Sequence, residues 1–174
     1  MRKLRNVPRI LKINRIEGYL VSMLFNNGES RIVDFKEFFL RKGKIKAKNP
    51  SYKLMKDKKE FDQIEVIDNT IGWKNVGIES KDFDGNKVYY YYELDPIVLF
   101  ESSSIDEKLD LNIGKMIKLA RKAAGLTQDQ LAQKIGTSKH YISRIENDKS
   151  DIELLTLKKI IEGGLGKNLQ IKIA

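Results

Sequence analysis

The chain of 174 residues contains no cysteine, one histidine (His140), one tryptophan (Trp73) and three prolines. Without cysteine there is no disulfide framework, no thiol nucleophile and no thiolate metal site. A single histidine excludes a histidine-rich metal cluster as well, so neither a metal nor any other cofactor is expected. No apolar run approaches the ~20 residues needed to span a bilayer, which argues against a membrane partner. The N-terminal stretch is basic, but Ile10 to Ile16 is interrupted by Lys12, Asn14 and Arg15 and lacks the continuous apolar centre of a secretory signal. A cytoplasmic location is the expectation. Carboxylates are plentiful in the first hundred residues (Asp34, Glu65, Asp68, Asp82, Asp84 and Asp95), yet no His, Cys or glycine-rich phosphate loop accompanies them. Asp82 and Asp84 flank a turn, and no catalytic residues are assigned.

What is present is a foldable chain with an uneven charge. Hydrophobic residues make up 41% and charged residues 33%, and the net charge is +9. Residues 1–60 hold 17 Lys and Arg against 6 Asp and Glu, residues 61–111 hold 4 against 12, and residues 112–174 hold 12 against 6. Two basic blocks flank an acidic one, the pattern of two surfaces able to meet polyanions.

Hydrophobic periodicity divides the chain in two. From Ile10 to Phe35 it is that of short strands, with Glu17-Gly18 and Asn26-Asn27-Gly28 at the turns. The glycine supplies the positive φ of a tight hairpin. Phe35 to Leu40 suits a helical turn, and the Lys-rich stretch ending at Asn49-Pro50 reads as loop. Further strands are expected over Phe61–Ile67, Thr70–Val76, Gly77–Phe83 and Lys87–Leu94, the last carrying Tyr89 to Tyr92 alternately on its two faces. Glu101-Ser102-Ser103-Ser104 through Lys108 is polar and small, as a linker would be. Beyond it the period changes from two to about 3.6. The expected architecture is α+β: a small mixed sheet domain over residues 1–100, a linker over 101–111, and a helical bundle with a terminal strand over 112–174.

Within the helical part, Thr127 to Asn147 has a structural reason at most positions. Thr127 and Ser138 each precede a helical stretch and suit N-caps. Gly136 between them suits the left-handed turn that lets a second helix cross the first. Leu131, Ala132, Ile135, Ile142 and Ile145 form the buried side. Lys139, His140, Ser143, Arg144 and Asn147 are left facing outward at the start of the second helix, a set of donors that suits a DNA major groove. Further helices are expected over Ile113–Ala124 and Ile152–Glu162.

Thr-Gln-x-x-Leu-Ala, Gly136, Ser138, Ile142-Ser143 and Ile145-Glu146-Asn147, at unbroken spacing, resemble the Xre family of helix-turn-helix domains, which includes the lambda and 434 repressors. The resemblance covers about Asn112 to Gly164. It implies a transcriptional regulator, a repressor by analogy, bound to double-stranded DNA. Lys139, His140, Ser143 and Arg144 would face base edges. Gln128 and Asn147 would contact phosphate, with Lys118, Lys122 and Lys149, and also Lys115, near the groove edge. It further implies a partly buried structural ion pair between Arg121 and Glu146. One departure is Asp148, where the family usually has glycine.

Residues 7–100 resemble a family of small bacterial domains of unknown function, numbered 2442. The similarity lies in Pro8-Arg9-Ile10, Leu24-Phe25, Gly28-Glu29, Arg31-Ile32-Val33-Asp34, Phe61 with Ile64 and Val66, Thr70-Ile71-Gly72-Trp73 and Leu94-Asp95-Pro96. Between Trp73 and Asp95 this chain carries an added hairpin. Some members of that family look like antitoxins, so the resemblance implies an alternative: an antitoxin that binds a protein toxin through its first domain and represses its own promoter. Finally, Asn168 to Ile173 alternates polar and apolar residues and is expected as a strand that pairs either with the same strand of a second subunit or with an edge of the first domain's sheet. A homodimer reading a palindromic site is the economical expectation for one helix-turn-helix per chain.

Overall fold

The computed structural model describes residues 7–41, 43 and 46–172. They form two compact units that divide between Asp110 and Leu111. In the first, alternating side chains build strands β1 (Ile10–Glu17), β2 (Leu20–Phe25) and β3 (Ser30–Asp34) into consecutive antiparallel pairs. The Asn26-Asn27-Gly28 turn is closed by Gly28 at φ +82°, whose N–H donates to the Phe25 carbonyl at 2.9 Å. Asp34 then caps helix α1 (Phe35–Leu40), accepting from the backbone N–H groups of Lys36 and Glu37.

Asn49-Pro50, expected as loop, opens helix α2 (Pro50–Lys56) instead. The Asn49 side chain accepts from the Ser51 N–H, and Pro50 stands at the first position, where a missing N–H is harmless. After helix α3 (Lys58–Phe61), strands β4 (Glu65–Ile67), β5 (Thr70–Lys81) and β6 (Lys87–Leu94) make a second antiparallel sheet in the order β4-β5-β6. Thr70–Val76 and Gly77–Phe83 are thus a single strand over most of their length, with an irregularity in its register against β6 between Trp73 and Gly77. Gly77 is required there: a Cβ would stand 2.8 Å from the Tyr89 ring and closer still to the Tyr90 carbonyl. The core gathers around buried Trp73, whose indole N–H donates to the Phe61 carbonyl at 2.8 Å and whose ring meets Phe35, Phe39, Phe61 and Tyr92.

The segment expected as a linker from residue 101 is for the most part structure. Helix α4 (Pro96–Glu101) is capped by Asp95, and strand β7 (Ser104–Ile105) pairs with β3, completing the order β1-β2-β3-β7. Arg31 reaches across to the Ser103 hydroxyl and carbonyl at 2.7 and 2.8 Å and lies over the Phe100 ring. Asp106 is buried on the sheet, where it accepts from both Arg15 terminal nitrogens, from the Ser22 hydroxyl and from the Lys108 N–H. A run of small polar residues looked like linker because its anchors, Arg15, Ser22 and Arg31, are some 70 to 90 residues away.

The Arg15 hydrogen bonds outweigh burial and, with Ser22, hold the Asp106 carboxyl below its ordinary value. A lowered folded pKa stabilises above the unfolded value of about 4 and ceases to do so as pH falls through the folded value. Asp106→Asn is therefore expected to lower the first unit's Tm by several degrees at neutral pH, with the gap to wild type narrowing in acid. Trp73 emission reports on that unit selectively. A gap independent of pH would show that the carboxylate charge is not what holds the segment.

The second unit is helical: α5 (Ile113–Ala123), α6 (Gln128–Ile135), α7 (Lys139–Glu146) and α8 (Leu154–Lys158), the last continuing into a wider π-type turn over Lys159–Gly164. Ile117, Leu131, Ala132, Ile135, Ile142, Ile145 and Ile160 form its core. The expected terminal strand is not formed over residues 168–172, and Ile173 lies outside the described residues. Alternation alone does not make a strand, and a helical unit offers no sheet edge to pair with. In the described residues no helix is long and apolar enough to cross a membrane, and no group of acidic and histidine side chains is arranged to hold a metal ion.

Candidate nucleic-acid interface

Local chemistry sets the α6–α7 geometry. At the start of α6 the Thr127 hydroxyl accepts from the Gln130 N–H at 3.1 Å while the Gln130 side chain accepts from the Thr127 N–H at 2.8 Å. This reciprocal capping box was legible as Thr-x-x-Gln, although Thr127 alone attracts notice first. Gly136 ends α6 at φ +64°, and three residues later α7 begins with the Ser138 hydroxyl accepting from the Tyr141 N–H at 3.2 Å. Ala132, small and buried, lets the helices approach closely. The C-terminal helix also passes near, since a Cβ on Gly164 would fall 2.5 Å from a Leu131 methyl.

With Ile142 and Ile145 turned into the core, α7 leaves Lys139, His140 and Arg144 exposed and Ser143 half-buried on its outer side. Lys122 and Lys149 are exposed, as is Lys115; Lys118 is half-buried. Three of the expected contact residues also serve the fold. Gln128 donates an amide hydrogen to Glu146 at 2.8 Å, Asn147 donates one to the Ser143 carbonyl at 2.7 Å, and Arg144 donates to the Lys149 carbonyl at 3.3 Å. A primary amide has two hydrogens, so Gln128 and Asn147 each keep one for another acceptor, oriented by the bond already made.

Behind this surface Arg121 and Glu146 form a two-pronged pair, Nε to Oε1 and Nη2 to Oε2, the second at 2.9 Å. They are 8% and 3% exposed, burial deep enough to make the pair an element of the core. Arg121 also donates to the Leu126 carbonyl at 2.6 Å, which ties the end of α5 to the approach to α6. Burial by itself would raise the Glu146 pKa, but hydrogen bonds from Arg121 and Gln128, with the fields of Arg121 and Lys118, bring it below the ordinary value. The Arg121 guanidinium is correspondingly raised, chiefly by its bond to Glu146.

Asp148 adopts the left-handed conformation, φ +52°, that glycine commonly fills at this point, and its carboxylate accepts from the Gly114 N–H at 3.2 Å. The bond offsets part of the conformational cost and joins the first turn of α5 to the end of α7. Sequence reasoning missed this partnership, because nothing local links residues 34 apart. Gly114 is also fixed by close packing at the same place: a Cβ there would stand 2.3 Å from the Ile145 carbonyl oxygen. Gly114→Ala should therefore displace α7 and cost about 1–3 kcal/mol of stability. Thermal unfolding followed by far-UV circular dichroism checks this, and an unchanged midpoint would mean the two helices separate without strain.

The family comparison agrees with this geometry over the helical segment. Residues 117–163 match the helix-turn-helix family model HTH_3. Among solved structures, the restriction-modification controller protein C.Esp1396I is 32% identical over 33% of this chain and 74% of that one, with a TM-score of 0.32. The protein NE0471 from Nitrosomonas europaea ATCC 19718, named for DNA binding, is 14% identical over 88% of this chain and 84% of its own, with a TM-score of 0.34. No curated protein matches the chain. The capped helix pair, its three-residue turn and the family model agree that residues 117–163 are a helix-turn-helix domain.

Proposed function

We propose that the protein is a sequence-specific regulator of transcription, a repressor in its simplest form, that lays α7 in the major groove of duplex DNA. The observation that carries the proposal is the polar side of α7: Lys139, His140 and Arg144 are exposed and Ser143 is half-exposed on a helix whose other side is locked into the core. These side chains supply the donors that base edges in the major groove accept. Gln128 and Asn147, each with an amide hydrogen still to give, and Lys118, Lys122 and Lys149 supply phosphate contacts. A homodimer would place two such helices on successive turns of a palindromic site. The first domain, similar in its motifs to unknown-function family 2442, would then serve assembly or regulation and not base reading.

Selection of bound sequences from random duplex DNA tests the reading directly. The expected result is an inverted repeat with half-sites about one helical turn, roughly 34–36 Å, apart. Failure to enrich any sequence from the pool would overturn it. On the selected site Lys149→Ala should reduce the slope of log affinity against log salt by about one contact and weaken all sequences alike. A sequence-dependent loss would move Lys149 from the phosphates to the bases.

A further inference from the structure

Strand β6 is an outer strand of its sheet, and among the described residues no other strand pairs with its second edge. That edge is unusual in chemistry. Soluble proteins blunt open edges with proline, bulges, or lysines in mid-strand. β6 instead runs Val88-Tyr89-Tyr90-Tyr91-Tyr92, five residues without a charge or proline, between Lys87 at one end and Glu93 at the other. Tyr89 and Tyr90 are 47% and 51% exposed, and Ile78, opposite Tyr90 on β5, is 55% exposed. Such a strand in a soluble chain needs a cover.

From this edge we infer a homodimer contact in which β6 pairs antiparallel with β6 of a second copy, centred on Tyr90. This deepens the dimeric part of the proposed reading, and the register follows from symmetry and charge. Residues directly opposite in a sheet point to the same face, and alternate residues of a strand share a face, so a two-fold axis perpendicular to the sheet must pass beside a single residue. With Tyr90 at the axis, Lys87 lies opposite the second copy's Glu93 and Glu93 opposite its Lys87, on the face that also pairs Tyr89 with Tyr91. On the other face Tyr90 meets its own copy and Val88 meets Tyr92. The strand's two charges are thereby matched twice, its uncharged centre is covered, and two three-stranded sheets become one of six. An acidic or basic protein partner fits less well, because the two ends of the strand carry opposite signs. Gly77 contributes by leaving room for the Tyr89 ring beside the neighbouring strand.

Charge reversal tests the register without DNA, so its outcome is separate from whether the helix-turn-helix binds a site. Sedimentation equilibrium of the full chain is expected to show a dimer at micromolar concentration. Lys87→Glu and Glu93→Lys should each weaken association by about tenfold or more, since each sets two like-charge pairs face to face. The double variant Lys87→Glu/Glu93→Lys should return to near the wild-type constant, because the pairs are restored with their signs exchanged. Rescue also rules out misfolding as the cause of the single-variant losses. A monomeric wild-type chain would overturn the inference. So would a dimer indifferent to the single reversals, which would place the contact elsewhere, for example on exposed Leu154 and Leu155, and so would a double variant no better than the singles.

Discussion

Arg144→Ala is expected to weaken binding to the selected DNA site by about 1–3 kcal/mol, roughly five- to 150-fold, while changing affinity for unrelated duplex far less. The asymmetry follows from position. Arg144 lies on the exposed side of α7, six residues along from the Ser138 cap, and its guanidinium touches the rest of the protein at the Lys149 carbonyl, 3.3 Å away. One donor is committed there and the others of its fork remain available. A guanidinium held at one corner presents a defined pair of N–H groups, the arrangement that matches the two acceptors of guanine. Arg144→Lys should recover nonspecific affinity and not discrimination, since an ammonium supplies the charge without the fork. Competition titrations with the selected site and a scrambled one measure both quantities. If Arg144→Ala weakened both sites equally, Arg144 would be a phosphate contact and the readout would fall to Lys139, His140 and Ser143.

The helical unit was legible in the sequence to a degree the sheet unit was not, and the reason is the range of the interactions. Thr127, Gly136 and Ser138 act on backbone groups within a few residues of themselves, so their types announce the helix ends directly. The same holds for Asp34 before α1 and for the glycine of the Asn26–Gly28 turn. Asn49-Pro50 is the same kind of local signal, a cap followed by proline, but it lies in a Lys-rich stretch that reads as loop. By contrast, the place of Ser104–Ile105 depends on β3, and the burial of Asp106 depends on Arg15 and Ser22. No local pattern encodes those partners. The site shows the same division: the outward face of α7 follows from the 3.6-residue period, whereas the double use of Gln128 and the bond between Asp148 and Gly114 need the fold to bring the groups together. The C-terminal alternation is the converse case, a local pattern that forms no strand over residues 168–172 because its own unit supplies no partner strand.

Arg121→Met should destabilise the helical unit by about 3–5 kcal/mol, because it leaves the Glu146 carboxylate buried without its principal counter-charge. That is a large share of the roughly 5–15 kcal/mol that holds a domain folded. Gln128 would still donate one hydrogen bond to Glu146, and Lys118 would still act through its field, but neither replaces two charge-assisted bonds. Glu146→Gln should cost less, since an amide oxygen still accepts from the guanidinium and Arg121 keeps its bond to the Leu126 carbonyl. Removing both charges with apolar side chains of similar size, as in Arg121→Met/Glu146→Leu, should recover most of the loss, since a buried pair seldom outperforms good apolar packing. Acid supplies an independent check with a definite sign. Glu146 titrates below its ordinary value in the folded protein, so the stability it confers is complete above the unfolded value of about 4.3 and fades as pH drops through the folded one. The gap between wild type and Glu146→Gln, measured by urea unfolding at a series of pH values, should therefore close in acid. An Arg121→Met protein with an unchanged midpoint would mean that solvent reaches Glu146 readily, and the burial that makes this pair a determinant of α7's orientation would be wrong.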